Sequence, residues 1–92
     1  MTTVRKSTGL KEEYDEDKVV RSIQKAAIDA GYGLDDVSSE VTSITSIINE
    51  MASEKQEINA EAIRDNVLKE LEKTKPEVAQ AWYRFDEKYK GI

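Results

Sequence analysis

Apolar residues recur at helical spacing in four separate stretches of this chain. The first carries Val19, Val20, Ile23, Ala26, Ala27 and Ala30, and it stops at Gly31-Tyr32-Gly33, where glycine suits the left-handed cap position. In the second, Val37, Val41, Ile44, Ile48 and Met51 alternate steps of four and three, and Ile47 widens the stripe. That spacing outweighs the extended preference of its β-branched residues and predicts an amphipathic helix. The third places Ile63, Val67, Leu68 and Leu71 on one face. The fourth follows Pro76, the only proline, which the first turn of a helix tolerates, and carries Val78, Ala81, Trp82, Phe85 and Tyr89. Helices are expected over about residues 16–30, 36–53, 60–73 and 77–89.

The polar residues between these stripes supply starts and turns. Val4–Lys6 and Leu10–Tyr14 suit strands, and Ser7-Thr8-Gly9 gives turn chemistry between them, so a hairpin is expected over about residues 2–14. Asp15 is a good N-cap, with Glu16 and Asp17 in the first turn, and the second helix should start near Asp35 or Asp36. Gln56-Glu57-Ile58 reads as a short extended segment before Asn59, another N-cap candidate. Asp17 and Arg21, four apart, can pair on the outer face of the first helix. The expected fold is α+β and mostly α, one domain over residues 1–92. Its four-helix bundle is covered at one end by a small two- or three-stranded sheet. Ile23, Ile44, Ile48, Ile63, Val67, Phe85 and Trp82 are expected in the core, Trp82 as its aromatic anchor.

Composition narrows the function. With 38% hydrophobic and 36% charged residues, the chain suits a solvated helical domain. No apolar run approaches the roughly 20 residues that span a bilayer, and the start lacks a signal-peptide core, so a cytoplasmic protein without a membrane role is expected. A net charge of −5 argues against a nucleic-acid binder, which needs a basic stripe. The chain has neither cysteine nor histidine. Thiolate chemistry, zinc ribbons and the commonest general base are therefore excluded, and neither an enzyme nor a resident metal site is expected.

One small anionic ligand remains compatible with an acidic chain, because it responds to local charge. Lys6 and Lys18 can converge where the first hairpin meets the first helix. There they would offer ammonium groups and backbone N–H donors to an anion, while nearby carboxylates accept hydrogen bonds from a base or ribose. The same residues describe a surface hairpin capping a helix, the plainer reading of the pattern taken alone, and both readings stay open. Lys88 near the last helix end suits the helix dipole, with a phosphate contact as a second role.

The order of these elements resembles the ATP-cone, a regulatory nucleotide-binding domain found at the N-terminus of ribonucleotide reductases and in their transcriptional repressor. Val4, Lys6, Gly9, Glu12, Tyr14, Asp15, Lys18 and Val19 stand in the order of the family's opening motif. The segments Glu57–Ile63 and Pro76–Trp82 are similar to the family's entries into its third and last helices. The resemblance implies a four-helix bundle under a small mixed sheet that binds ATP or dATP, usually with Mg2+. It implies phosphate contacts from Lys6, Lys18 and Lys88. Val4 would also contact the nucleotide, and the run Glu12–Lys18, with Glu13 and Tyr14 in it, would wrap base and sugar, with Glu12 and Asp15 as hydrogen-bonding groups. The partner implied is a ribonucleotide reductase catalytic domain or another protein, with a homo-oligomer as a further arrangement. The chain would then be a free-standing cone or an excised N-terminal domain.

Three departures weaken the implied anion site. Ser7 replaces the family's usual arginine beside Lys6, Ala60 stands where a hydroxyl residue is common, and Asp86 stands near the place of an arginine. They open an alternative, in which a degenerate cone serves as a protein-interaction or oligomerisation module without nucleotide.

Overall fold

Capping chemistry sets where the first helix begins. A computed structural model of the protein describes the backbone of residues 2–6 and 8–90, and side chains as far as Arg84. Helix α1 spans Glu16–Asp29, and Asp15 ahead of it accepts the Asp17 N–H at 3.0 Å through its carboxylate. Beyond its C-terminus Gly31 takes φ +92, the left-handed conformation that glycine adopts without a Cβ clash.

The second helical segment starts differently from the expectation. A 3-10 turn over Leu34–Val37 comes first, and helix α2 follows over Ser38–Ser53. Asp36 closes the turn instead of capping α2: its carboxylate accepts the Gly33 N–H at 2.9 Å, and its own N–H donates to the Gly33 carbonyl at 3.1 Å. Helix α3 spans Ala60–Thr74 and helix α4 spans Pro76–Lys90. Lys75 breaks the two apart at φ −139 and ψ 73, outside the helical region that a residue before proline avoids.

Strand β1 is Thr3–Arg5, β2 is Lys11–Glu13 and β3 is Glu57–Asn59. The strand order is β2-β1-β3, with β2 antiparallel and β3 parallel to the central strand. Gly9 makes the hairpin turn at φ +89. Asn59 ends β3 opposite Arg5 and stands at the N-cap position of α3 as expected, although its side chain makes no capping bond there. Arg21 turns its Nε to the Asp17 backbone carbonyl at 3.3 Å, so the anticipated ion pair is replaced by a main-chain contact.

The helices pack in a ring, α1 on α2, α2 on α3, α3 on α4, and α4 back on α1. Ile23, Ala27, Val37, Ile48, Val67, Leu71 and Val78 are buried at its centre, and Ile44 joins them. Val4 and Ile58 cover one end from the sheet. Thr2 ties the sheet to α2 by donating from its hydroxyl to the Ala52 and Lys55 carbonyls, and Tyr14 does the same through Asn49. Two expectations need correction here. Ile63 and Trp82 are only half-buried, because each forms part of a cleft wall, and Ile47 stands exposed on α2. The Phe85 side chain lies outside the described residues.

Candidate functional site

Where β2 runs into α1, two turns of chain bring backbone and side chains against the first turns of α3. Val4, Glu12, Glu13, Tyr14, Asp15 and Lys18 share one wall of a cleft of about 180 Å³. Ala60, Ile63, Arg64 and Val67 form the opposite wall, spaced so that one helical face presents all four. Trp82 of α4 completes it. A second recess of about 360 Å³ continues the cleft between α1, α3 and α4, sharing Ser22, Ala60, Arg64 and Trp82 with the first. The larger recess falls within the usual range of about 300–1,000 Å³ for small-molecule sites.

Charge gathers at the cleft mouth. The Glu12 carboxylate oxygen Oε2 lies 3.0 Å from the Lys18 ammonium and 3.4 Å from that of Lys6. Lys18's hydrogen bond holds the Glu12 carboxyl below its ordinary range, against an opposing desolvation that is larger than the further lowering from the Lys6 hydrogen bond. Lys6 itself borders a separate recess with Arg5, Gly9, Asn59 and Glu61, so it reaches the cleft through Glu12. Toward α2 and outside the cleft, the Tyr14 hydroxyl donates to Asn49 Oδ1 at 2.6 Å, and the Asn49 amide donates to Glu16 Oε2 at 2.7 Å. Burial pushes the Tyr14 phenol up, and the Glu16 and Asp15 carboxylates push it further, so it stays a donor at neutral pH. Ser22 spends its hydroxyl on the Lys18 carbonyl one turn back in α1, at 2.7 Å.

Six of the residues singled out from sequence therefore meet in one cleft, and Lys6 joins them at its mouth. The side chain of Lys88 lies outside the described residues, as do those of Ser7 and Asp86. Sequence reasoning missed Arg64 and Ile63 as cleft residues and placed Trp82 in the core. Arg64 carried a signal: it interrupts the apolar stripe of α3 on the face of Ala60 and Val67. Its guanidinium lies 3.6 Å from the Asp65 carboxylate.

Chemically, this cleft pairs a partly apolar slot beside an indole with two ammonium groups and several carboxylates. A flat ring fits the slot, hydroxyl or amino donors fit the carboxylates, and an anionic tail fits the lysines. Among the described residues, no group of three or more Asp or Glu side chains could hold a metal ion by itself. No helix of the described residues is long and apolar enough to cross a membrane.

No curated protein matches the chain. The family model for the ATP cone domain matches residues 2–90. Domains of that family bind nucleotides and regulate; they do not catalyse. With nearly its whole length inside that match, this chain belongs to the ATP-cone family.

Proposed function

We propose that this domain binds ATP or dATP in the cleft between α1, α3 and α4, and that occupancy changes how it packs against a partner. The observation that carries this reading is the meeting of Lys6 and Lys18 at Glu12, at the mouth of a cleft walled by Trp82. Lys6 and Lys18 take the phosphates, with Lys88 as a third cation. The base lies along Trp82 and Ile63, where aromatic stacking contributes about 1–3 kcal/mol. Glu12 and Asp15 accept hydrogen bonds from sugar or base, while Val4, Glu13 and Tyr14 line the wall beside them. Glu12 and Asp15 would supply the one or two carboxylates that a triphosphate-bound Mg2+ needs from a protein, and the ion would offset phosphate charge there.

Regulation follows from differential affinity. If the nucleotide prefers one arrangement of hairpin and helices, it shifts the population toward that arrangement, and a partner that contacts it responds. The partner is a ribonucleotide reductase catalytic domain or another cytoplasmic protein, or a second copy of this chain. Ala60 supports a second reading, because it lines the cleft without the hydroxyl common in the family. In that reading the cone is an interaction module alone.

Calorimetric titration with ATP, dATP and GTP, with and without Mg2+, separates the two. Saturable, adenine-specific binding supports the regulatory reading. No heat at millimolar nucleotide favours the interaction module.

A further inference from the structure

Pairing across a sheet fixes which side chains share a face, because residues directly opposite each other project to the same side. Val4 pairs with Glu12 on one side and with Ile58 on the other. Val4 and Ile58 are buried, so this row is the inner face of the sheet. Glu12 thus occupies a place that the two-residue alternation assigns to an apolar side chain. A carboxylate on an inward row needs partners, and Glu12 has two on the same oxygen, Lys18 at 3.0 Å and Lys6 at 3.4 Å. Its lowered pKa is consistent with a carboxyl that stays ionised there.

These are the ammonium groups that the nucleotide reading assigns to phosphate. A phosphate reaching Lys6 and Lys18 competes with Glu12 for the same donors and meets the repulsion of the carboxylate it displaces. Polyphosphate alone has nothing to offer that carboxylate. A nucleoside polyphosphate does, since its sugar hydroxyls or base amino group can donate to Glu12 within the same cleft. We infer that Glu12 is an exchangeable counter-ion that makes the cleft select a nucleoside polyphosphate over polyphosphate alone. One side chain then links recognition of the two halves of the ligand, and the link appears as a coupling free energy between them. This inference rests on the nucleotide reading of the cleft and adds to it the residue that sets its specificity.

The test uses the full chain, titrated with tripolyphosphate and with ATP, as wild type and as Glu12→Gln and Glu12→Ala. Both variants change a half-exposed side chain on an edge strand, and circular dichroism checks that the helices persist. Tripolyphosphate should bind about three- to tenfold more tightly to both variants, the range that releasing two half-exposed ion pairs allows. ATP should bind no more tightly than to wild type, so the preference for ATP over tripolyphosphate shrinks. Unchanged or weaker tripolyphosphate binding, with ATP still bound by wild type, overturns the inference. So does an equal gain for both ligands, which is bulk electrostatics without exchange. A wild type that binds neither ligand overturns the nucleotide reading and this inference with it.

Discussion

Two glutamates on the edge strands of one small sheet each gather two cations, and Glu12 lines the cleft beside Trp82. Glu57 on β3 takes Lys11 at 3.1 Å on one carboxylate oxygen and Arg5 at 3.4 Å on the other. Glu12 on β2 takes Lys18 and Lys6 on a single oxygen. Both carboxyls are held below their ordinary range by a lysine hydrogen bond first of all, Lys11 for Glu57 and Lys18 for Glu12. Pairwise electrostatics therefore does not separate them. What separates them is the face they project from. Glu57 lies off the Val4–Ile58–Glu12 row, on the outer face with Arg5 and Lys11, whereas Glu12 projects inward toward Trp82, Ile63 and the first turn of α3. A charge cluster becomes a candidate site through what it adjoins, and the outer cluster serves as the built-in control.

The sharpest break of this comparison is to remove one lysine from each cluster. Lys18→Ala and Lys6→Ala should each weaken ATP binding roughly 10- to 100-fold, the equivalent of losing one charge-assisted contact of about 1.5–3 kcal/mol. Lys11→Ala and Arg5→Ala should leave it within about twofold, as exposed charges on the opposite face of the sheet are screened by solvent. Calorimetry on the four variants reads the difference. Equal losses in both clusters would move the site to the outer face or reduce it to net charge.

Trp82 sharpens the comparison from the apolar side. Trp82→Ala should weaken ATP binding by about 1–3 kcal/mol through lost stacking. Because the indole is half-buried, the thermal midpoint should fall less than for Ile23→Ala, a fully buried truncation in a class that costs about 2–5 kcal/mol. A larger stability loss for Trp82→Ala with unchanged binding would return this residue to the core role that its spacing first suggested.

Those two residues also mark how far the sequence reaches. Four helices and a small sheet at one end are legible because apolar spacing and N-cap chemistry are local signals, as with Ile44 and Ile48 on α2 or Asp15 before α1. Trp82 and Ile23 sit on stripes of the same period, and periodicity cannot tell a residue facing the bundle centre from one facing a cleft. The parallel pairing of β3 with β1 depends on residues more than fifty positions apart, so the inward row holding Glu12 has no local signature. The meeting of Lys6 and Lys18 was visible from the hairpin and helix start, but the shared carboxylate oxygen between them was not. Asp36 looked like a helix cap and instead closes a 3-10 turn, since the same side chain satisfies either N–H group.

Two smaller effects complete the set. Ser7→Arg restores the residue usual in the family beside Lys6, and it should tighten ATP binding by roughly 1–2 kcal/mol through a fork-shaped phosphate donor. A gain that persists at high salt marks a direct contact, whereas one that vanishes marks only a nearby charge. The least effect concerns pH. Glu12 and Glu57 have carboxyls lowered in the folded protein, so each adds stability above the ordinary carboxylate range. That contribution is lost as pH falls through the lowered folded value. Glu12→Gln and Glu57→Gln should flatten the acid limb of a thermal-midpoint curve to a similar small extent, with only the former altering ligand preference. A much steeper acid limb in either variant would contradict that sign.

The central claim is where the nucleotide sits, and amide and indole chemical-shift mapping during an ATP titration tests it most directly. The account predicts saturable shifts concentrated at Glu12–Ser22, at Ala60–Val67 and at the Trp82 indole N–H, with Lys11 and Glu57 nearly still. Shifts centred on Arg5, Lys11 and Glu57, or a spectrum that ignores ATP throughout, would contradict it.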